Sequence, residues 1–183
     1  MSVSLPDYWR PYFDAAFKIG LRQGEQNAIK PNDINWLSGL LHIRRAITLD
    51  KNGKFVEGGT KNRYSKKAIK LIPILIQALK SQKKIYDSFK CEYFFCSTNV
   101  GRVDPSNSRC RIWNPSLKKP GVELRQMKQT RHCFATNTLS CVENPLWIAK
   151  IMGHRDTNMI IKVYRKFIEN AAGFKDGTNL NAI

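Results

Sequence analysis

Lysine and arginine dominate the chemistry this sequence can do, and they are clustered. The 183 residues carry 31 Lys+Arg against 14 Asp+Glu, a net charge of +17. Between Gly58 and Tyr86 there is no acid, but there are Lys61, Arg63, Lys66, Lys67, Lys70, Lys80, Lys83 and Lys84. Between Pro105 and Val142 the only acid is Glu123, among Arg109, Arg111, Lys118, Lys119, Arg125, Lys128 and Arg131. Acid-free basic stretches within a folded domain make a positive surface. The commonest partner for such a surface is a polyphosphate backbone, whose binding releases counterions. A membrane surface fits less well, because these lysines fall in strand-like and loop-like segments and not on one amphipathic helix. Other chemistries lack their signatures: there is no G-x-G-x-x-G, no P-loop and no paired-carboxylate motif. The five cysteines, at positions 91, 96, 110, 133 and 141, contain no C-x₂-C pair. No zinc site is therefore expected, and the cysteines read as small apolar core residues. Tyr164 follows His154 by ten residues, and Arg22 is followed by Gly24 and Glu25.

These side chains need a scaffold, and length and composition point to one domain. Apolar content is 42% and charged content 25%, ordinary for a globular chain and wrong for a disordered one. No apolar run approaches the ~20 residues of a membrane span. The first residues lack a basic segment followed by an apolar core, so no secretory signal is read there. An odd cysteine count argues against a disulfide framework and for a reducing compartment. Residues 5–17 are expected to be helical, the regular helix beginning near Pro11 and ending at Gly20. After Gly20, residues 21–29 (LRQGEQNAI) should start another short helix. Asp50 to Gly53 is a turn signal, with Asn52-Gly53 a hairpin centre. Residues 66–73 alternate, placing Ile69 and Leu71 on one face and Lys70 and Ile72 on the other. Together these suggest a small antiparallel sheet of about three strands. From Ile74 to Lys84 the pattern turns helical. Residues 97–122 read as loop, and the chain then turns helical to about Asn170. Asn144-Pro145 should cap one helix that ends at Gly153, and Asp156 or Thr157 should cap the next, which carries Tyr164. The fold class is α+β, mainly helical.

Four segments, in order, resemble the catalytic domain of the tyrosine recombinases, the phage-integrase family. Ile19-Gly20-Leu21-Arg22-Gln23-Gly24-Glu25 is similar to the family's T-G-x-R-x-x-E box. Thr60-Lys61, before the strand that ends Leu71-Ile72-Pro73, resembles its β-hairpin lysine. Lys128 to Thr136, with Arg131, His132, Phe134 and Ala135, resembles H-x-x-R-H-x-F-A-[ST]. Gly153-His154 with Tyr164 resembles L-G-H followed by the nucleophile. The likeness covers residues 5–168. Its implied domain is residues 1–170, followed by a tail, 171–183, that is expected to dock on a neighbouring protomer. Only 21 residues precede Arg22, so the family's N-terminal DNA-clamping domain is expected to be absent, DNA binding by this chain alone to be weak and recombination poor.

The resemblance implies breakage and rejoining of a DNA phosphodiester by a tyrosine hydroxyl. Arg22 and Arg131 would clamp the scissile phosphate, since each guanidinium offers a permanently charged fork of donors. His154 would donate a third hydrogen bond. Lys61 would protonate the leaving 5′ oxygen, with Arg63, Lys66 and Lys67 close enough in sequence to substitute. Tyr164 would form a 3′-phosphotyrosyl link, which conserves the bond energy without ATP. Glu25 reads as a structural partner for an active-site arginine, and His132 as a packed supporting group. Lys128 departs from the family's usual histidine. A lysine can donate to the phosphate, but it accepts the tyrosine's proton only if its pKa is depressed. No metal or other cofactor is expected. The implied partners are double-stranded DNA sites, three further copies in a synaptic tetramer, and DNA-bending accessory proteins; the setting is the bacterial cytoplasm or nucleoid. Two other readings keep some of these residues: a type IB topoisomerase-like nicking-closing enzyme, and a DNA-binding module with a degenerate site.

Overall fold

The computed structural model describes residues 5–60, 65–118, 123–141, 143–154, 157–158 and 160–163. A 3₁₀ turn at Asp7–Trp9 leads into α1, Arg10–Ile19. Pro11 lies in the first turn of α1, where its missing N–H removes no helix bond. Tyr12, Phe13, Ala15, Ala16 and Ile19 line one face of α1 and are buried against α3 (Pro73–Phe89) and α6 (Gln129–Ser140). Gly20 ends α1 with φ 65°, and the short α2, Gln23–Asn27, starts immediately after Arg22.

Five short strands follow: β1 Ile34–Asn35, β2 Leu40–Ile43, β3 Arg45–Leu49, β4 Phe55–Gly59 and β5 Lys67–Lys70. β2 lies between β1 and β5, while β3 and β4 form a separate antiparallel hairpin. The expected sheet of about three strands is thus a three-stranded sheet plus a two-stranded one. The break falls at Arg44, where Arg44 and Arg45 both turn onto the buried Asp33, at 3.2 and 2.6 Å. The hairpin turn is where the sequence places it. Asp50 Oδ1 accepts from the N–H groups of Asn52 and Lys54, both at 2.8 Å, and Gly53 takes φ 73°. In β5 the register sets Ile69 opposite Leu41 and Lys67 opposite Ile43, with Ile69 buried and Lys70 exposed.

The loop expected over residues 97–122 is corrected by a helical stretch. α4 (Pro105–Asn107), a π-helical segment (Ser108–Trp113) and α5 (Asn114–Leu117) run end to end. Asp104 caps the start by accepting from Asn107 N at 2.7 Å. The stretch is held by burial: Trp113 stacks on Phe13 at 5.2 Å, and its indole N–H donates to Arg125 O. Long-range packing of this kind outweighs weak local propensity. Two cysteines also depart from expectation. Cys91 and Cys96 are buried, but Cys110 on the π-helical segment and Cys141 at the end of α6 are exposed.

α7, Pro145–Met152, begins and ends as the sequence predicts. Asn144 Oδ1 accepts from Leu146 N at 2.8 Å, Pro145 opens the helix, and Gly153 closes it with φ 64°. Asn144→Ala should cost about 1 kcal/mol and lower the melting temperature by roughly 2–4 °C, read by thermal denaturation. Beyond it, residues 158 and 160–163 are helical, and Ile161 N bonds to Thr157 O. No described helix is long and apolar enough to cross a membrane.

Candidate active site

Arg22 stands in extended conformation at the mouth of α2. Its Nη1 donates to Glu25 Oε1 at 2.7 Å and to Ser65 Oγ at 3.0 Å, while its backbone N–H reaches Glu25 Oε2 at 3.2 Å. The Glu25 side chain is 1% exposed and that of Arg22 31%. The carboxylate is thus a buried brace that orients a half-exposed guanidinium, the partnership expected from the sequence. Gly24 is required for this placement, because a Cβ there would lie 2.3 Å from Ile47 O in β3. Among the described residues, Arg22 Nε and Nη2 have no partner and remain as donors.

Arg131 arrives from the first turns of α6 and ties three elements together. Nη1 donates to Gly20 O, at the end of α1, at 2.6 Å. Nη2 donates to Met152 O, at the end of α7, at 2.5 Å and lies 3.2 Å from His154 Nε2. An arginine N–H can only donate, so Nε2 of His154 accepts and the ring proton sits on Nδ1. Gly153 in left-handed conformation makes the turn that brings His154 back, with His154 N bonding to Ala149 O at 2.9 Å. Carbonyls at the ends of two helices carry partial negative charge, so a half-buried guanidinium suits them.

Arg22 and Arg131 line one cleft of about 140 Å³. Tyr12, Gln23, Gln26, Met127, Lys128 and Thr130 complete its walls. Lys128 is exposed, at the residue before α6. His132 is half-buried, and burial, aided by the charges of Lys128 and Arg131, holds its pKa below the usual range. Lys61 and Tyr164 lie outside the described residues. The described residues contain no cluster of three or more His, Cys, Asp or Glu able to hold a metal.

One member of the cluster, Lys67, is named by the sequence only as a substitute for Lys61, not as a buried residue. Lys67 of β5 points into it with a side chain 5% exposed, its Nζ 3.6 Å from Glu25 Oε2. Burial first, and the charges of Arg131 and Arg22 after it, push its pKa down to about 8 despite Glu25. The available signal was parity. Lys67 shares its strand face with Ile69 and Leu71, both buried.

The model of the phage integrase family matches residues 4–170. The chain belongs to the phage integrase family. It is 27% identical over 173 residues to a prophage integrase, IntR, of Escherichia coli K12, covering 82% of this chain and 41% of that protein. It is 23% identical over 175 residues to a XerC-like tyrosine recombinase of Caldanaerobacter subterraneus, covering 85% and 45%. The chain thus spans less than half the length of these curated relatives. Among solved structures, the Tn1549 transposon integrase in complex with circular intermediate DNA superposes with a TM-score of 0.74 at 15% identity, over 85% of this chain and 55% of that one. The XerA recombinase gives 0.66 at 19% identity, over 92% and 55%. These likenesses establish the tyrosine recombinase catalytic fold, mainly helical with small antiparallel sheets, as the sequence implied.

Proposed function

We propose that this member of the integrase family is the catalytic domain of a site-specific DNA recombinase. The observation that carries the proposal is the convergence of two guanidiniums on one cleft, each braced from behind. Glu25 and Ser65 hold Arg22, and Gly20 O and Met152 O hold Arg131. Donors fixed before the substrate arrives stabilise the charge that develops in a pentavalent phosphoryl transition state, and no reorganisation is needed at that moment. The relatives' names add weight: a prophage integrase, and a transposon integrase captured on DNA.

In this reading Arg22 and Arg131 grip the non-bridging oxygens of the scissile phosphate. His154, beside Arg131, donates a third hydrogen bond to the phosphate. Lys128, at the rim, contributes positive charge. Lys61 delivers a proton to the leaving 5′ oxygen. Tyr164 attacks phosphorus, a P–O bond to its hydroxyl oxygen forms, and the bond to the 5′ oxygen breaks. Tyr12, which lines the cleft, and Tyr8 are poor alternatives. Tyr12 donates its hydroxyl to Asn27 Oδ1 at 2.8 Å, and complete burial pushes its pKa well up. Tyr8 is likewise raised by burial and donates to Cys96 O.

The duplex sites, the synaptic tetramer, an exchanged tail beyond residue 170, bending partners, a metal- and ATP-free reaction and a place in the bacterial cytoplasm or nucleoid belong to the same proposal. Its test is a covalent-capture assay on nicked duplexes drawn from a library of element-end sequences. The expected adduct is a 3′-phosphate ester, mapped by mass spectrometry to the peptide that contains Tyr164. An adduct on another tyrosine would overturn the nucleophile assignment. Relaxation of supercoiled DNA with no site requirement would favour the topoisomerase-like reading, and no adduct from any library member the binding-module reading.

A further inference from the structure

The buried amine of Lys67 is under-used in the cluster as it stands. Among the described residues Nζ has no hydrogen-bond partner. Its nearest carboxylate oxygen, Glu25 Oε2, already accepts from Arg22 N, and Oε1 of the same group takes Arg22 Nη1. The charged groups facing Lys67 are Arg22 and Glu25 from the start of α2 and Arg131 from α6, and Ser65 is a neutral neighbour that also bonds Arg22. Arg22 and Lys67 therefore share one carboxylate, with the positive charge of Arg131 acting on Lys67 as well. A buried ammonium with so little compensation is unfavourable, and the missing charge in this cluster is negative.

We propose that Lys67 is a positioning residue of the phosphate clamp: an oxyanion seated between Arg22 and Arg131 holds it in the charged form, and the charged Lys67, acting through Glu25, sets Arg22 for that oxyanion. This rests on the clamp reading above. Its consequence is proton linkage. Without an anion Lys67 loses its proton near pH 8. A bound anion a few ångströms away favours the ammonium, so the pKa rises on binding. By reciprocity the anion binds best below that pH and more weakly as pH rises through it. Arg22 and Arg131 stay charged throughout, so they cannot supply this inflection.

The probe is inorganic sulfate, a tetrahedral dianion that does not titrate in this range, against chloride at equal ionic strength. The full chain labelled with ¹³C at lysine Cε is followed by NMR, the Lys67 signal being the one absent in Lys67→Arg. The Arg22 and Arg131 Nε signals report occupancy of the clamp. Lys67 should titrate well below the other lysines and move up on adding sulfate but not chloride. Sulfate affinity should fall about tenfold between pH 7 and pH 9.5, the equivalent of one pKa unit of coupling. Lys67→Arg should keep the pH 7 affinity across that range, which a merely structural role would not produce. If sulfate moves the arginine signals and leaves the Lys67 titration unchanged, the linkage is wrong and the clamp stands. If sulfate moves neither, both are wrong.

Discussion

Arg131→Lys is expected to form the phosphotyrosyl adduct about 10²–10³-fold more slowly than the unchanged chain, while Tyr164→Phe forms none. The first figure is the usual loss when one preorganised donor to a developing oxyanion is removed. Lysine keeps the charge but not the fork. Arg131 uses Nη1 for Gly20 O and Nη2 for Met152 O and His154, two directions that a single ammonium cannot serve in one plane. One carbonyl is left poorly paired and the charge moves off the phosphate axis. The second result follows from chemistry alone, since phenylalanine has no oxygen to attack phosphorus. Single-turnover capture on a nicked duplex measures both. Binding to a duplex of unrelated sequence, dominated by the surface lysines and arginines, should change little in either variant. A parallel loss of that binding would mean that Arg131→Lys had damaged the fold, and an adduct with Tyr164→Phe would remove Tyr164 as nucleophile.

The parts of this molecule that were legible in the sequence are those with local causes. Gly20 and Gly153 end helices because each must take positive φ, and Asn144-Pro145 and Asp50 to Gly53 carry their own capping and turn chemistry. The four family boxes name Arg22, Arg131 and His154; in the fold Arg22 and Arg131 line one cleft and Arg131 contacts His154. What local reading missed has distant causes. Residues 105–117 are helical because Trp113 and Leu117 are buried from outside the segment, Trp113 by Phe13 across about a hundred residues of chain. β1 is two residues long, too short to leave a periodic pattern. Lys67 was legible only as a stand-in for Lys61 and not as a buried residue, because lysine is rarely buried, although its parity with Ile69 and Leu71 points inward. The glutamate that makes its burial tolerable lies on α2, forty-two residues earlier in the numbering of the pair Glu25 and Lys67.

Gly20→Ala should be among the most damaging small substitutions in the chain, destabilising it by roughly 2–5 kcal/mol. Two penalties add. At φ 65° an L side chain enters the left-handed region, at about 1–2 kcal/mol. The new Cβ would also lie 2.2 Å from Phe134 Cδ1 and 2.6 Å from Cγ, far inside contact distance. Phe134 is 6% exposed and packed in the main core, so relief requires moving the ring or the backbone, typically another 1–3 kcal/mol. For a chain of this size the melting temperature should drop by roughly 5–15 °C. The position also carries function, because Gly20 O is the acceptor that fixes Arg131 Nη1. Moving the α1 end moves that oxygen, so strand cleavage should fall even at temperatures where Gly20→Ala is fully folded. Gly20→Ala combined with Phe134→Leu separates the terms. Trimming the ring should recover the part of the stability lost to overlap and leave the part due to positive φ. Full recovery by Phe134→Leu would show that the left-handed turn carries no penalty, and no recovery would show that the ring already has room to move.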